Sequence, residues 1–457
     1  MKIILGNSTR SLFALSVLVG LLPLYANAIE TRFETDAALP IVYLNVAVKA
    51  GAANDLLGKS GITNFVGEMM LRGTKTRTKA QIDEAIDQLG ATLAVEVRSE
   101  AVIFRGRVLS AKLAEYMEIL QEIITTPSFP EKEIKKLKAE VGSQILEARG
   151  KDNSLGKVMW EGFLFEGHPY GKPILGKTKE TAALTRADLV RHYADLFQDR
   201  NLLVVGSGDS EASFVDAWAA RLAEKRPNSA GENPVHISPL PKAFDHKRVR
   251  FIDKPDRTQT QVYFGQIGVR MTDPSFFPLF LANHVFGGGS FSARLMQEIR
   301  VKRGWSYGAY SYFRQGIRPR SWQAYTFPAT KDTAAALALI DGMLRNYRES
   351  GITLEEFQFA QASLINSAGF AFNTPAKRVE NILLEKTLDL PDGFMKTYAS
   401  NFEKATLPTT NAAVKKFLAP DQLSILILGT AKDLKLKAAE SLKVPESSIE
   451  VVPYLKE

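Results

Sequence analysis

The sequence predicts an α+β protein made of two homologous domains, each a mixed sheet with helices packed against it. Three observations predict this class. Strand landmarks recur in two parts of the 457-residue chain at nearly equal separation. Strands come in hairpin-like pairs followed by long amphipathic helices, without the strict alternation of a doubly wound sheet. A proline-bearing segment separates the two repeats.

The chain opens with Lys2 and Arg10, an apolar run over 12–25, and the triplet Ala26, Asn27, Ala28. A basic start, a short apolar stretch and an A-x-A site predict a cleavable signal peptide at 1–28. The run is too short to span about 30 Å of hydrocarbon, and Pro23 interrupts it. Export is therefore expected, with the bacterial periplasm as the expected compartment, and no later stretch is long and apolar enough to cross a bilayer. The chain has no cysteine, which excludes disulfides and a lipidated thiol. Its formal charge of +8 is spread among acids, arguing for a cationic surface and against a nucleic-acid stripe.

The first domain is expected over 29–230. The β-branched run 41–48 reads as a strand that leads past Gly51 into a helix. Segments 91–97 and 101–108 alternate apolar and polar residues around Arg98, Ser99 and Glu100, as a hairpin does. Amphipathic helices follow at 111–125 and 130–149, and the domain closes on a strand ending at Gly206. A linker is expected at 231–246, where Gly231, Pro234, Pro239 and Pro241 suit an exposed connector. The second domain, 247–457, repeats the plan. The run 261–269 matches 41–48, and 421–429 matches 199–206, so Val42 and Gly206 are spaced almost as Val262 and Gly429 are. Two matched landmarks at one separation argue for duplication.

The most informative segment is 61–74. Ile62, Phe65, Val66, Met69 and Met70 fall at i, i+3, i+4, i+7 and i+8, one apolar helix face, with Asn64 and Glu68 four apart on another and Gly73 at the end. This frame resembles the inverted zinc motif H-x-x-E-H of the pitrilysin/insulinase peptidase family. The resemblance extends to the turn around His168, Tyr170 and Gly171, to the helix start at Thr185 and Asp188, and to both terminal strands. It implies a fold like that of the mitochondrial processing peptidases, in the LuxS/metallohydrolase-like group. In the family two histidines and a distal glutamate bind zinc, and the glutamate within the motif activates water. Here those positions fall on Asn64, Glu68 and Gln144, with Gly67 at the place of the base. Only Glu68 is a zinc donor, whereas a catalytic zinc needs about three protein ligands. Gly67 offers no base. No metal is expected on this chain, and His168, His192, His236, His246 and His284 have no ligand-like spacing.

The second domain carries Gly287, Gly288 and Gly289, expected as a tight, mobile loop, then Ser292 as a helix cap and Gly304 as its end. A strand is expected over 305–313. This stretch resembles the family segment that holds an arginine and a tyrosine, matched here by Arg300 and Tyr307. The resemblance implies that both reach a substrate at a zinc site, donating hydrogen bonds where negative charge develops.

Loss of every zinc donor but one, with the arginine and tyrosine kept, implies a non-catalytic subunit of a heterodimeric zinc peptidase. Its partner would be a paralogous chain that bears the zinc, and its substrates peptides or unfolded polypeptides. No activity is expected of the chain alone. The alternative is a peptide-binding or scaffold protein of the same fold that takes part in no hydrolysis.

Overall fold

The computed structural model describes residues 29–225 and 233–457; the expected signal segment and the residues from 226 to 232 lie outside the described residues. The described strands form two sheets. The first holds β1 (Glu30–Thr35), β2 (Ile41–Val48), β3 (Thr92–Val97), β4 (Val102–Leu109) and β5 (Leu202–Gly208), in the order β1-β5-β2-β4-β3. The second holds β6 (Arg248–Asp253), β7 (Gln261–Ile267), β8 (Ala309–Phe313), β9 (Ser321–Thr326), β10 (Ser424–Gly429) and β11 (Ile449–Pro453), in the order β11-β6-β10-β7-β9-β8.

The duplication is complete at the level of pairing. β1 runs parallel to β5 as β6 does to β10, and the other pairs of β5-β2-β4-β3 and β10-β7-β9-β8 are antiparallel. β11 is the one addition to the second sheet, parallel to β6. β3 is one edge of the first sheet and β8 one edge of the second, and among the described residues no strand lies beside their outer backbone groups.

The central strands read as unbroken apolar runs because both of their faces are covered. In β2, Val42, Leu44, Val46 and Val48 face the first half's own helices, while Ala47 faces the other way. That second face is covered by a borrowed helix. Pro375–Thr387, from the second half, lays Val379 and Leu383 on Ala47, Ile103, Leu203 and Val205 of the first sheet. In return Asp152–Leu164, from the first half, packs Leu155, Trp160 and Phe163 on Ile252, Tyr263, Leu426 and Leu428 of the second. Each sheet therefore depends on the other half for part of its core.

Three expectations are corrected. The glycines 287–289 are not an open loop: His284–Gly288 is a π-helical turn continuing the helix Phe276–Asn283. Gly287 is buried there, and a Cβ on it would lie 2.5 Å from the Ser311 backbone nitrogen, so its role is close packing against β8. Ser292 does not cap a helix; its hydroxyl donates to the Gly289 carbonyl at 2.8 Å, and Ala293 stands at the cap position of Arg294–Met296. The strand expected from Trp305 starts only at Ala309, because Gly304 takes φ +64° and Ser306 Oγ bonds to the Gly308 carbonyl at 2.9 Å, turning the chain first. The linker is also less free than its prolines suggest. His168 bonds to the Pro239 carbonyl at 2.9 Å and Arg318 Nε donates to the Ser238 carbonyl at 2.7 Å, tying it to both halves.

Candidate functional site: a disarmed metal helix and an exposed arginine–tyrosine pair

The helix Ile62–Met70 starts where Asp55 accepts from the backbone N–H groups of Gly61 at 2.5 Å and Thr63 at 3.1 Å. Donors at a helix start favour a carboxylate, but burial pushes the Asp55 carboxyl up to about 6. Thr63 Oγ1 meets His192 Nε2 at 2.8 Å, and burial of that imidazole takes it down to about 4. Ile62, Phe65, Val66, Met69 and Met70 are all buried against the first sheet.

On this helix Asn64 is buried and Gly67 lies against the edge hairpin. A Cβ at Gly67 would stand 3.1 Å from a methyl of Val95 and 3.4 Å from methyls of Val97 and Val102. A side chain there requires those methyls to give by a few tenths of an ångström. Glu68 is partly buried; burial raises its carboxyl, and Arg72, 3.9 Å away, opposes that. Arg72 is the residue that motif reading missed. Its guanidinium bonds Glu140 through two contacts at 3.2 and 2.6 Å and lies 3.9 Å from Glu133. A cation of the chain thus stands among three carboxylates. Gln144 sits exposed on the same helix as those two acids, Glu131–Gly150, one turn past Glu140. The donor set does not fit a catalytic zinc, and among the described residues no three His, Cys, Asp or Glu side chains are grouped to hold a metal.

Arg300 and Tyr307 are brought together just ahead of the edge strand β8. Arg300 lies in a second π-helical turn, Gln297–Val301, and one of its guanidinium nitrogens donates to the Tyr307 carbonyl at 2.8 Å. The guanidinium carbon is 4.8 Å from the Phe291 ring centre and 6.0 Å from that of Tyr307. No carboxylate of the described residues pairs with Arg300, whereas Arg303 and Lys302 beside it both pair with Glu298. Tyr307 is 76% exposed. The pair therefore presents unused N–H and O–H donors to solvent from a fixed backbone.

Two family models match the chain: "Insulinase (Peptidase family M16)" over residues 32–177, and "Peptidase M16 inactive domain" over 183–364. The chain belongs to peptidase family M16. The first match covers most of the first half, and the second begins within the first half, before β5, and ends before β10. Among curated relatives, the M16 chain is 23% identical over 410 residues to the non-peptidase homolog YmxG of Helicobacter pylori, covering 88% of this chain and 91% of that one. A Pseudomonas fluorescens structure described as a peptidase M16 inactive domain superposes with a TM-score of 0.82 at 23% identity, over 88% of this chain and 96% of that one. The periplasmic protease PqqL of Escherichia coli matches at TM-score 0.75 and 16% identity, over 94% of this chain and 50% of that chain. These likenesses show the M16 fold. With a zinc helix that keeps only Glu68 as a donor and has Gly67 in place of the base, this chain is a non-catalytic member of the family.

Proposed function

We propose that this chain is the substrate-binding subunit of a two-chain zinc peptidase, exported to the periplasm, in which a paralogous M16 partner carries the metal. One observation carries the reading: Arg300 and Tyr307 are held together by a single guanidinium-to-carbonyl bond, with the remaining N–H groups and the phenol hydroxyl left to donate, in a chain whose own metal helix pairs its one remaining carboxylate, Glu68, with Arg72. Attack of water on a peptide carbonyl builds negative charge on its oxygen, and a positioned guanidinium and phenol stabilise that charge. The partner's zinc and glutamate would supply the activated water. Peptides or unfolded segments would reach the site extended, pairing with a sheet edge as an added strand. A signal-like start at 1–28 and the likeness to a periplasmic protease support the compartment.

The test is reconstitution. The chain is mixed with a zinc-bearing M16 paralogue from the same source, and cleavage of a quenched fluorescent peptide is followed with each alone and together. Cleavage by the mixture well above the sum of the two is the expected result. Peptide binding with no gain in hydrolysis would instead make the chain a binding or scaffold protein.

A further inference from the structure

A pocket of about 400 Å³ opens on the second half, lined by residues that belong neither to the zinc helix nor to the arginine–tyrosine pair. Its volume lies in the range of small-molecule sites. The floor is apolar. Phe277 and Phe394 lie with ring centres 5.9 Å apart, Met271 extends the apolar surface, and Phe402 and Tyr398 pack on Phe277 at 5.2 and 5.3 Å. One wall is the loop ahead of the helix Phe276–Asn283. Asp273 holds that loop: its Oδ1 accepts from the Ser275 backbone N–H at 2.8 Å and from the Ser275 hydroxyl at 2.6 Å, and its carbonyl accepts from the Phe276 N–H at 2.9 Å. Another wall carries Asn401, on the short helix Tyr398–Glu403, and Lys404 just after it. The Gln361 amide fixes this wall by donating to the Phe402 and Ala405 carbonyls at 2.8 and 3.2 Å. The pocket is therefore built in advance of any ligand.

Two opposite charges line it and neither is neutralised. Among the described residues no carboxylate pairs with Lys404, whose Nζ lies 3.5 Å from Asn401 Oδ1, and no cation pairs with Asp273, whose Oδ2 has no hydrogen-bond partner. An acid and a base that share one pocket without meeting complement a ligand that carries both charges itself. We propose that this pocket binds a zwitterion, a free amino acid or dipeptide with a large apolar side chain. Its ammonium group donates to the Asp273 carboxylate, its carboxylate accepts from Lys404 and the Asn401 amide, and its side chain lies on Phe277 and Phe394. Glycine has the charges but leaves the floor wet, and a fatty acid has the apolar body but nothing to give Asp273. Amino acids and dipeptides are end products of peptide hydrolysis, so the activity proposed above would release this ligand. The binding itself does not depend on that activity.

Calorimetric titration of this chain alone tests it, with L-phenylalanine, glycine, N-acetyl-L-phenylalanine, L-phenylalaninamide and the dipeptide Ala-Phe as probes. L-phenylalanine should bind about tenfold tighter than glycine, the margin for covering part of an apolar floor. Each singly charged analogue should bind about threefold to fivefold more weakly than L-phenylalanine, the scale of one solvent-exposed ion pair. Lys404→Gln should weaken L-phenylalanine by the same factor and leave L-phenylalaninamide unchanged. Asp273→Asn, which keeps an oxygen for Ser275, should do the converse and leave N-acetyl-L-phenylalanine unchanged. The tighter of L-phenylalanine and Ala-Phe identifies which of the two the pocket is sized for. Equal affinities for L-phenylalanine and glycine, or binding that neither variant alters, would overturn the proposal, as would no heat from L-phenylalanine up to about 10 mM. A reconstituted mixture that cleaves nothing defeats the two-chain function and leaves this titration to decide the pocket.

Discussion

The two halves share one strand order and differ in chemistry at every functional point. Between β2 and β3 the first half places Arg72 among Glu68, Glu133 and Glu140, so its charge is spent inside the fold. Between β7 and β8 the second half leaves Arg300 with a backbone carbonyl and two aromatic rings, so its charge faces outward. The borrowed helices differ in the same way. Trp160 stacks on Tyr263 at 5.5 Å and donates to Gln323 at 2.7 Å, deep enough that Gly265 is needed beneath it. The opposite helix puts Val379 and Leu383 on small aliphatic residues and surrounds them with Arg105–Glu380, Arg378–Glu34 and Lys386–Glu30 pairs. Duplicated topology thus constrains where elements lie, while the contacts at each place are set independently.

The largest expected effect separates the two seams. Trp160→Ala should cost about 3–5 kcal/mol, the range for deleting a buried aromatic, and Leu383→Ala less within the range for a buried aliphatic. Chemical denaturation should also show that Glu380→Gln matters at low salt and fades at high salt, as a partly exposed pair does. A Trp160 variant as stable as the wild type would mean that the halves do not share a core.

Next comes the contrast between the arginines. In the reconstituted mixture Arg300→Ala should lower kcat/KM on the order of 10²–10³, the scale for removing one charge-stabilising donor. Arg72→Met should leave the rate within a few fold and act on stability instead. Equal rates for the wild type and Arg300→Ala would end the role assigned to the pair.

A smaller effect sharpens the account of the metal helix. Gly67→Glu, which writes the missing base back, should destabilise by about 1–3 kcal/mol because its Cβ meets Val95 at 3.1 Å. Val95→Ala should relieve part of that cost, measured as a shift in the denaturation midpoint. If Gly67→Glu is neutral, the hairpin yields more readily than its packing implies.

The smallest effect is a pH dependence at the start of that helix. Folding raises Asp55 from 3.8 to about 6, so the native state binds its proton first and gains stability as pH falls between those values. His192 goes the other way, from 6.5 to about 4; the unfolded chain is protonated first and stability is lost on acidification. Each slope is about 1.4 kcal/mol per pH unit, and the two oppose each other in nearly the same window. Asp55→Asn should expose a loss on acidification and His192→Gln a gain, read from denaturation at pH 4 to 6.5. Parallel profiles for the two variants would show that the pair around Thr63 does not titrate as described.

Strand landmarks, the duplication, the 91–97 and 101–108 hairpin and the missing zinc donors were all legible in the sequence. Each depends on residue identity or on a short local period, and neither changes when the chain folds. The π-helical turns at Gly287 and Arg300, the place of Gly67 against Val95, the capture of Arg72 by Glu140, and the exchange of helices between sheets were not. They bring together residues far apart in the chain, and whether a glycine bends a loop or fits beneath a strand depends on what packs against it. The sequence by itself determined the strand landmarks, their duplication, and that the metal site keeps one donor where a catalytic zinc needs about three. Only the tertiary structure decided which cation is spent and which is free, because a charge is neutralised by what surrounds it in space.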